Sequence, residues 1–308
     1  MSASETEGRD VRIAIAVRAT SQSLGWIGTE AGIFQRLGLN VMFPAMETAA
    51  VEAVAGLVRG DWDFVEVGGA PIVQGVLDGH DPVMLLAAEP APLAGRYLVA
   101  RRDLTAPMNL RGGRIGILTE AGQTGISART MLHQWGITAT FVPLGTYPKI
   151  YSALRAQDID AGILSEEYRL AAYRAFGVTA FAIPASALPP ALASTRRLIR
   201  RQHGLVARVV QGYVEAIHLF KTNRALVMPL LHRFLQHFDQ GIIEDIYEYY
   251  AARFQSLPLL STDAIQQMLD EFAATYPVAH TLPPTAATDT SMLEELERSG
   301  LVARLYGG

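Results

Sequence analysis

The chain contains no cysteine, which excludes disulfides, thiolate metal sites and cysteine nucleophiles. It also lacks an excess of positive charge, because its 308 residues carry a formal net charge of -4 at pH 7. Phosphate binding requires a basic surface, so the composition gives no reason to expect a nucleic-acid partner. No apolar run approaches the roughly 20 residues of a membrane-spanning helix. The run Pro82–Gly95, for example, is interrupted by Glu89, Pro90 and Pro92.

Several motifs of catalysis and cofactor binding are missing as well. The chain has no H-E-x-x-H, no G-x-S-x-G, no G-x-G-x-x-G at its glycine-rich turn and no G-x-x-x-x-G-K-[ST]. His232 and His237 are five residues apart, whereas two metal ligands on one helix face are four apart. We therefore expect no metal site and no cofactor, and we assign no catalytic residue.

The first ten residues are polar and acidic, without the basic and apolar regions of a secretion signal. This start leaves two expectations open. The protein is periplasmic or at the cell surface if a leader has been removed, and cytoplasmic if Met1 is the native start.

The sequence then shows a duplication. The segment 38–43, Gly-Leu-Asn-Val-Met-Phe, is echoed by 136–141, Gly-Ile-Thr-Ala-Thr-Phe. A threonine, Thr48 or Thr146, follows each copy at the same offset, and a helix-like apolar segment comes next. Each copy ends in an Asp-x-Asp turn. Two copies of strand, helix, strand, helix, strand predict two similar α/β lobes, with mainly parallel sheets flanked by helices.

Two proline-rich segments, 89–95 and 181–190, are interpreted as crossings that hinge the lobes. They divide the chain into a discontinuous first lobe, 11–90 with 187–308, and a second lobe, 91–186. The last third has helical apolar stripes and is expected to pack as a helical C-terminal tail on the first lobe.

Candidate site residues come from the loops at the carboxyl ends of the predicted strands, where open α/β sheets bind ligands. Helix N-termini in such loops favour anions or polar acceptors, and aromatic residues there can stack on a flat ligand. The predicted ligand-binding residues are Ser23, Trp26, Glu47, Thr48, Gly69, Ala70, Glu89, Gln123, Thr124, Thr146, Tyr147 and Glu166.

These loops are rich in glutamate: Glu47, Glu89, Glu120, Glu166 and Glu167. Two interpretations stay open. An acidic cleft would favour a cationic or donor-rich ligand, whereas carboxylates at helix starts are favoured by the helix dipole alone. The Asp-x-Asp pairs lie at the amino ends of strands, away from the cleft, and are expected to stabilise turns.

The order of these motifs resembles the type II periplasmic substrate-binding proteins of ABC transporters, in the nitrate, sulfonate and pyrimidine-precursor branch. The resemblance is carried by 25–34 (Gly-Trp-Ile-Gly-Thr-Glu-Ala-Gly-Ile-Phe), 68–71 (Gly-Gly-Ala-Pro), 110–116 (Leu-Arg-Gly-Gly-Arg-Ile-Gly) and 158–161 (Asp-Ile-Asp-Ala). It covers about residues 11–185 well. It implies ligand contacts near Ser23, Trp26, Glu47, Gly69, Ala70, Gln123 and Thr124.

The resemblance implies a monomeric solute-binding protein that captures a small ligand between two lobes and delivers it to an ABC transporter permease. The acidic loops point to a polar or heteroaromatic ligand that can carry an amine. One alternative is a cytoplasmic enzyme on the same scaffold, decarboxylase-like or menaquinone-pathway-like, with Glu47, Glu89 and Glu166 as acid–base groups. A second alternative is a ligand-sensing regulatory domain.

Overall fold

A computed structural model describes residues 9–90, 96–183 and 188–307. These residues form two five-stranded sheets flanked by helices. The strands are β1 (Arg9–Ile15), β2 (Leu39–Met46), β3 (Phe64–Gly68), β4 (Pro82–Leu86), β5 (Arg96–Arg101), β6 (Arg114–Ile117), β7 (Thr140–Pro143), β8 (Ala161–Ser165), β9 (Val178–Ala182) and β10 (Pro190–Thr195). The helices of the first half are α1 (Leu24–Glu30), α2 (Ile33–Arg36), α3 (Ala50–Arg59), α4 (Gly69–Leu77), α5 (Gln123–Gln134) and α6 (Tyr147–Ala156). Those of the second half are α7 (Glu166–Phe176), α8 (Arg196–Thr222), α9 (Arg224–Phe234), α10 (Gln240–Arg253), α11 (Thr262–Phe272), α12 (Ser291–Arg298) and α13 (Leu301–Leu305).

The two sheets repeat one topology. Their strand orders are β2-β1-β3-β10-β4 and β7-β6-β8-β5-β9. In each sheet one strand, β10 or β5, runs antiparallel to both neighbours, and the other four share a direction. The prediction of two similar lobes with mainly parallel sheets is confirmed, although the inserted strand makes each sheet mixed. We call the first sheet with its helices the first lobe and the other the second lobe.

The predicted return crossing is shorter than expected. Residues 178–182 form the edge strand β9, and 190–195 form β10 inside the first sheet. Sequence reasoning missed both strands because it assigned 181–190 to a loop on its prolines. Pro190 is tolerated because it is the first residue of its strand. Residues 91–95 and 184–187 of the two predicted crossings lie outside the described residues, as do 1–8, so the exact lobe boundaries stay a prediction.

The second aspartate of each Asp-x-Asp pair performs the same structural task in both lobes. Asp63 Oδ2 accepts a hydrogen bond from the Arg12 N–H at 2.9 Å, and Asp160 Oδ2 accepts one from the Arg114 N–H at 2.8 Å. The aspartate N–H in turn donates to the same arginine's carbonyl oxygen, at 2.8 Å in each lobe. The predicted turn role therefore includes fastening the start of one strand to the start of its neighbour.

Two helix predictions need correction. The spacing of Ile27, Ala31 and Phe34 predicts one helix, but the stretch is split into α1 and α2 because Gly32 takes a left-handed conformation with φ of 72°. Threonine is a favoured N-cap residue, so Thr48 is predicted to cap α3, but Ala49 occupies that position. In the second lobe Thr146 does cap α6, because its Oγ1 accepts a hydrogen bond from the Lys149 N–H.

The C-terminal helices pack on the first lobe, as predicted. The stripe Val210, Tyr213, Ile217 and Phe220 of α8 is fully buried in the first lobe's larger core. The tail also reaches the second lobe, which was not predicted: Arg174 of α7 pairs with Asp245 of α10, and the rings of Tyr168 and Phe238 are 4.8 Å apart. Among the described helices, none combines the length and apolar character that crossing a bilayer demands.

Candidate functional site

The carboxyl-end loops of the two lobes face each other across a narrow cavity, which we call the inner chamber. Its walls carry uncharged polar side chains from both lobes: Gln22, Thr48, Thr119, Gln123, Thr124 and Tyr147. The remaining wall is small or apolar, with Ala16, Val17, Ala50 and Gly68 from the first lobe. The sequence-predicted residues Thr48, Gln123, Thr124 and Tyr147 are thus brought together.

Four helices begin at the inner chamber. The first residues of α3, α5 and α6 and the residue before α4 all line it. The first N–H groups of a helix have no acceptor within that helix, and its N-terminus carries a partial positive charge. No ionised side chain lines the inner chamber among the described residues. The chamber therefore offers hydrogen-bond donors and a positive potential, which suits an anion or an acceptor-rich group.

One side chain of the inner chamber joins the two lobes directly. Gln123 Oε1, on the second lobe, accepts a hydrogen bond from the Ala70 N–H of the first lobe at 3.2 Å. Gln123 Nε2 donates to Ser127 Oγ at 3.2 Å, so both ends of the amide are held. Gln123 is buried, as is Ala70. The predicted residues Ala70 and Gln123 are therefore linked across the cleft.

A second cavity, the outer chamber, adjoins the inner one and shares Ala16, Val17, Gly145 and Tyr147 with it. Three aromatic side chains, Tyr168, Phe234 and Phe238, contribute to its walls. The predicted residues Glu47 and Thr146 also line it, together with Arg18 and His237. Arg18 Nε and Glu47 Oε2 form an ion pair at 3.3 Å, in which both side chains are partly exposed.

The lobes are closed on each other. The inner and outer chambers have volumes of only about 40 Å³ and 30 Å³. That is room for a few waters and too little for an organic ligand. A further contact between the lobes is buried: Glu167 Oε1 of α7 accepts a hydrogen bond from the Thr20 N–H at 2.7 Å. A ligand therefore enters only when the lobes move apart.

Six of the predicted residues line neither chamber: Ser23, Trp26, Gly69, Ala70, Glu89 and Glu166. Ser23 is buried, and its Oγ donates to the Thr20 carbonyl oxygen at 2.8 Å. Trp26 packs on Phe234 with ring centroids 5.3 Å apart. Gly69 lies so close to Leu188 that a Cβ at this position would sit 2.6 Å from the leucine Cβ. These positions stabilise the loops around the chambers.

The glutamates are dispersed. Glu47 belongs to the outer chamber, and Glu120 is exposed. Glu166 is buried, and burial raises its pKa. Its hydrogen bond to Arg169 lowers the pKa by a smaller amount, so the net shift is upward. Glu89 is also buried and contributes to the electrostatic environment of Tyr249. None of the five acidic residues lines the inner chamber, and Glu166 and Glu167 stand in the first turn of α7, where the dipole favours them.

The sequence analysis overlooked two kinds of site residue. Gln22 is buried and lines the inner chamber, and its Oε1 accepts a hydrogen bond from the Val17 N–H at 3.2 Å. It lies in the same loop as the predicted residue Ser23. Phe234 and Phe238 belong to the C-terminal tail, far along the chain from the loops, and no local pattern distinguishes them from core residues. Among the described residues, no group of three acidic or histidine side chains is placed to hold a metal ion.

Comparison with known proteins gives no match to a protein-family model and no curated protein with a related sequence. Solved structures do match over nearly the whole chain. A protein of Bordetella bronchiseptica RB50 has a TM-score of 0.80 at 15% identity, covering 95% of this chain and 98% of its own. The alkanesulfonate-binding protein SsuA of Xanthomonas axonopodis pv. citri, bound to MOPS, has a TM-score of 0.74 at 17% identity, covering 92% and 99%.

The periplasmic nitrate-binding protein NrtA of Synechocystis PCC 6803 is similar too, with a TM-score of 0.71 at 11% identity, covering 95% of this chain and 89% of its own. This chain has the periplasmic binding protein fold. The resemblance found in the sequence is thereby confirmed at the level of the fold. In this periplasmic binding protein fold the two chambers lie between the lobes, at the carboxyl ends of the strands.

Proposed function

We propose that the protein is a solute-binding protein that captures a small ligand between its two lobes and delivers it to an ABC transporter permease. The observation that carries the proposal is the inner chamber, where four helix N-termini from both lobes converge on one closed space. Closure on a ligand buries it and creates the closed surface that a permease can recognise. The similar structures of an alkanesulfonate-binding and a nitrate-binding protein support the same role.

The chemistry of the inner chamber favours a ligand with an anionic or acceptor-rich head, such as a sulfonate, a carboxylate or nitrate. Its polar walls are hydroxyl and amide groups, and the helix N-termini add donors. An amine, which the acidic loops suggested, would meet the positive ends of four helices and no carboxylate. The proposed ligand is therefore polar or heteroaromatic and carries a hydrogen-bond acceptor group instead of an amine.

Location and partners follow from this role. A protein that delivers a solute to a permease has to meet that permease outside the cytoplasmic membrane, in the periplasm or at the cell surface. One closed chamber within one chain needs no second copy, so the binding unit is a monomer.

A calorimetric titration with methanesulfonate, nitrate, acetate and ethanolamine tests the ligand class. We expect at least one anion to bind, and at a hundred times its Kd to stabilise the fold by about 2.7 kcal/mol in thermal unfolding. Thr48 lines the inner chamber beside the start of α3. Thr48→Asp places a carboxylate there and should weaken anion binding by tenfold or more, on the order of 1.4 kcal/mol.

The matched control is Thr48→Asn, which has nearly the same size as the aspartate and no charge. The dissociation constant of this variant for the anion should stay within a few-fold of that of the unmodified protein. Binding of ethanolamine alone, strengthened by Thr48→Asp, would show that the ligand is a cation and refute the proposed class. The solute-binding function would be refuted if no compound of this panel bound and if native mass spectrometry directly after purification found no small molecule on the protein.

A further inference from the structure

The outer chamber differs from the inner one because four aromatic residues, Tyr147, Tyr168, Phe234 and Phe238, line it beside aliphatic side chains such as Val17 and Leu235. Tyr168 meets Phe238 edge to face with ring centroids 4.8 Å apart, and it meets Tyr147 with centroids 6.1 Å apart. Phe234 lines the same cavity. Rings arranged in this way present both faces and edges to a guest, which is the arrangement that a further aromatic ring prefers.

The charges in the outer chamber are already compensated. Arg18 pairs with Glu47, and the Arg18 guanidinium lies 5.8 Å from the centroid of the Phe234 ring. The guanidinium is thus held by one carboxylate and one aromatic face. The outer chamber therefore does not select a charged group, in contrast to the inner chamber with its helix N-termini.

The two phenylalanines of the outer chamber differ in how deeply they are buried. Phe234 is buried and packs on Trp26 with ring centroids 5.3 Å apart. Phe238 is only half buried and lies in the short connection 235–239 between α9 and α10. Asp239 anchors the far end of this connection, because its Oδ1 accepts a hydrogen bond from the Ile242 N–H at 2.9 Å. A guest ring that displaces Phe238 therefore disturbs less buried packing than one that displaces Phe234.

We propose that the outer chamber is a subsite for a flat apolar ring on the ligand, whose acceptor head lies in the inner chamber. The proposal rests on the proposed solute-binding function and narrows its ligand to a head joined to a ring by a short linker. The two chambers share Ala16, Val17, Gly145 and Tyr147, so one molecule can extend from one to the other. Phe238 and Tyr168 become specificity-determining residues.

This subsite is tested with two probes, methanesulfonate and phenylmethanesulfonate, which differ only in the ring. Each is titrated by calorimetry against the full chain. We expect the ring to improve affinity by about tenfold or more. The ratio of the two dissociation constants should fall to within about threefold of unity in Phe238→Ala. Tyr173→Ala removes an aromatic ring from α7 that is 62% exposed and outside both chambers, and it should keep the ratio.

The outcomes separate the two proposals. Equal affinities for the two sulfonates overturn the ring subsite while leaving the solute-binding function in place. A ring preference that persists in both Phe238→Ala and Tyr168→Leu, with thermal unfolding showing that both variants are folded, also overturns it. Failure of both sulfonates and of the rest of the ligand panel to bind overturns the function and the subsite together.

Discussion

At the scale of single residues, the most unusual group of the described chain is Glu66, a carboxyl on a central strand of the first lobe. It is buried between β3, α1 and α8, where Tyr213 donates a hydrogen bond to its Oε1. Burial raises the pKa of Glu66 to about 8, against the smaller opposing effects of hydrogen bonds from Tyr213 and the Gly25 N–H. At neutral pH the carboxyl is therefore mostly protonated, so a neutral group occupies the core beneath the loop that leads to Gln22.

This raised pKa predicts a pH-dependent stability. In the unfolded chain Glu66 ionises near its ordinary value of 4.5, while in the folded chain it stays protonated up to about pH 8. Its contribution is therefore fully present below about pH 4.5 and is lost progressively as the pH rises to about 8. With about 1.4 kcal/mol for each pKa unit, the loss is on the order of 5 kcal/mol.

Glu66→Gln removes the titrating proton and keeps a hydrogen-bond acceptor for Tyr213. In urea denaturation the variant should gain stability over the unmodified protein between pH 5 and pH 8, by up to a few kcal/mol. Glu52→Gln, at an exposed site on α3, should leave the pH dependence as it is. Parallel pH profiles for the unmodified protein and Glu66→Gln would contradict the raised pKa.

At the scale of elements, glycine lets α6 approach the second sheet. Gly116 of β6 and Gly162 of β8 are register partners, side by side beneath the helix. A Cβ at Gly162 would meet Ile150 Cγ2 at 2.4 Å, and one at Gly116 would meet the same atom at 3.2 Å. The apolar face of α6 therefore packs directly against the backbone of the two glycines, which fixes the distance between α6 and the sheet. Because α6 begins at Tyr147, the same packing positions one wall of both chambers.

Gly162→Ala is expected to destabilise the fold by about 1–3 kcal/mol, because the added methyl group forces Ile150 and α6 outward. The matched substitution Gly204→Ala lies in α8, two residues after the kink at Gln202, and nothing is within 4 Å of the new Cβ. Alanine is the better helix former, so that variant should be more stable by about 0.5–1 kcal/mol. Chemical denaturation of both variants measures the contrast. Equal effects in the two would mean that the space beneath α6 is not limiting.

At the scale of the whole molecule, contacts from three parts of the chain hold the lobes closed. The Thr20 N–H binds Glu167 Oε1, the Ala70 N–H binds Gln123 Oε1, and Arg174 of the second lobe pairs with Asp239 and Asp245 of the tail. The first two bonds are buried and the ion pairs are exposed, so the buried bonds contribute more to closure. The tail is thus a third part of the chain that holds the two lobes together.

Glu167→Ala should shift the population toward separated lobes, because it leaves the buried Thr20 N–H without its acceptor at a cost of about 1–3 kcal/mol. Hydrogen exchange at the Thr20 amide should become faster, and small-angle scattering should report a larger radius of gyration. Glu167→Gln retains an oxygen acceptor and should preserve most of the protection. An unchanged exchange rate in Glu167→Ala would show that this bond does not hold the lobes together.

The sequence by itself determined the elements that depend on local patterns. The duplicated segments identified two α/β lobes, the short apolar runs marked most strands, and the loops after them contained Thr48, Gln123, Thr124 and Tyr147 of the inner chamber. The prediction of the two lobes is confirmed because apolar runs, helix starts and turn residues act over a few neighbouring positions, while a ligand-binding role of the four residues stays a prediction.

Only the tertiary structure decided which distant segments meet. The place of β10 between β3 and β4, the contact of α10 with α7, and the aromatic wall from Phe234 and Phe238 join residues far apart in the chain. The tertiary structure also decided where the charges lie. The glutamates of the loops occupy helix starts, ion pairs and buried positions, and none of them lines the inner chamber. The environment of a side chain is set by what the fold packs around it, and local sequence does not contain that information.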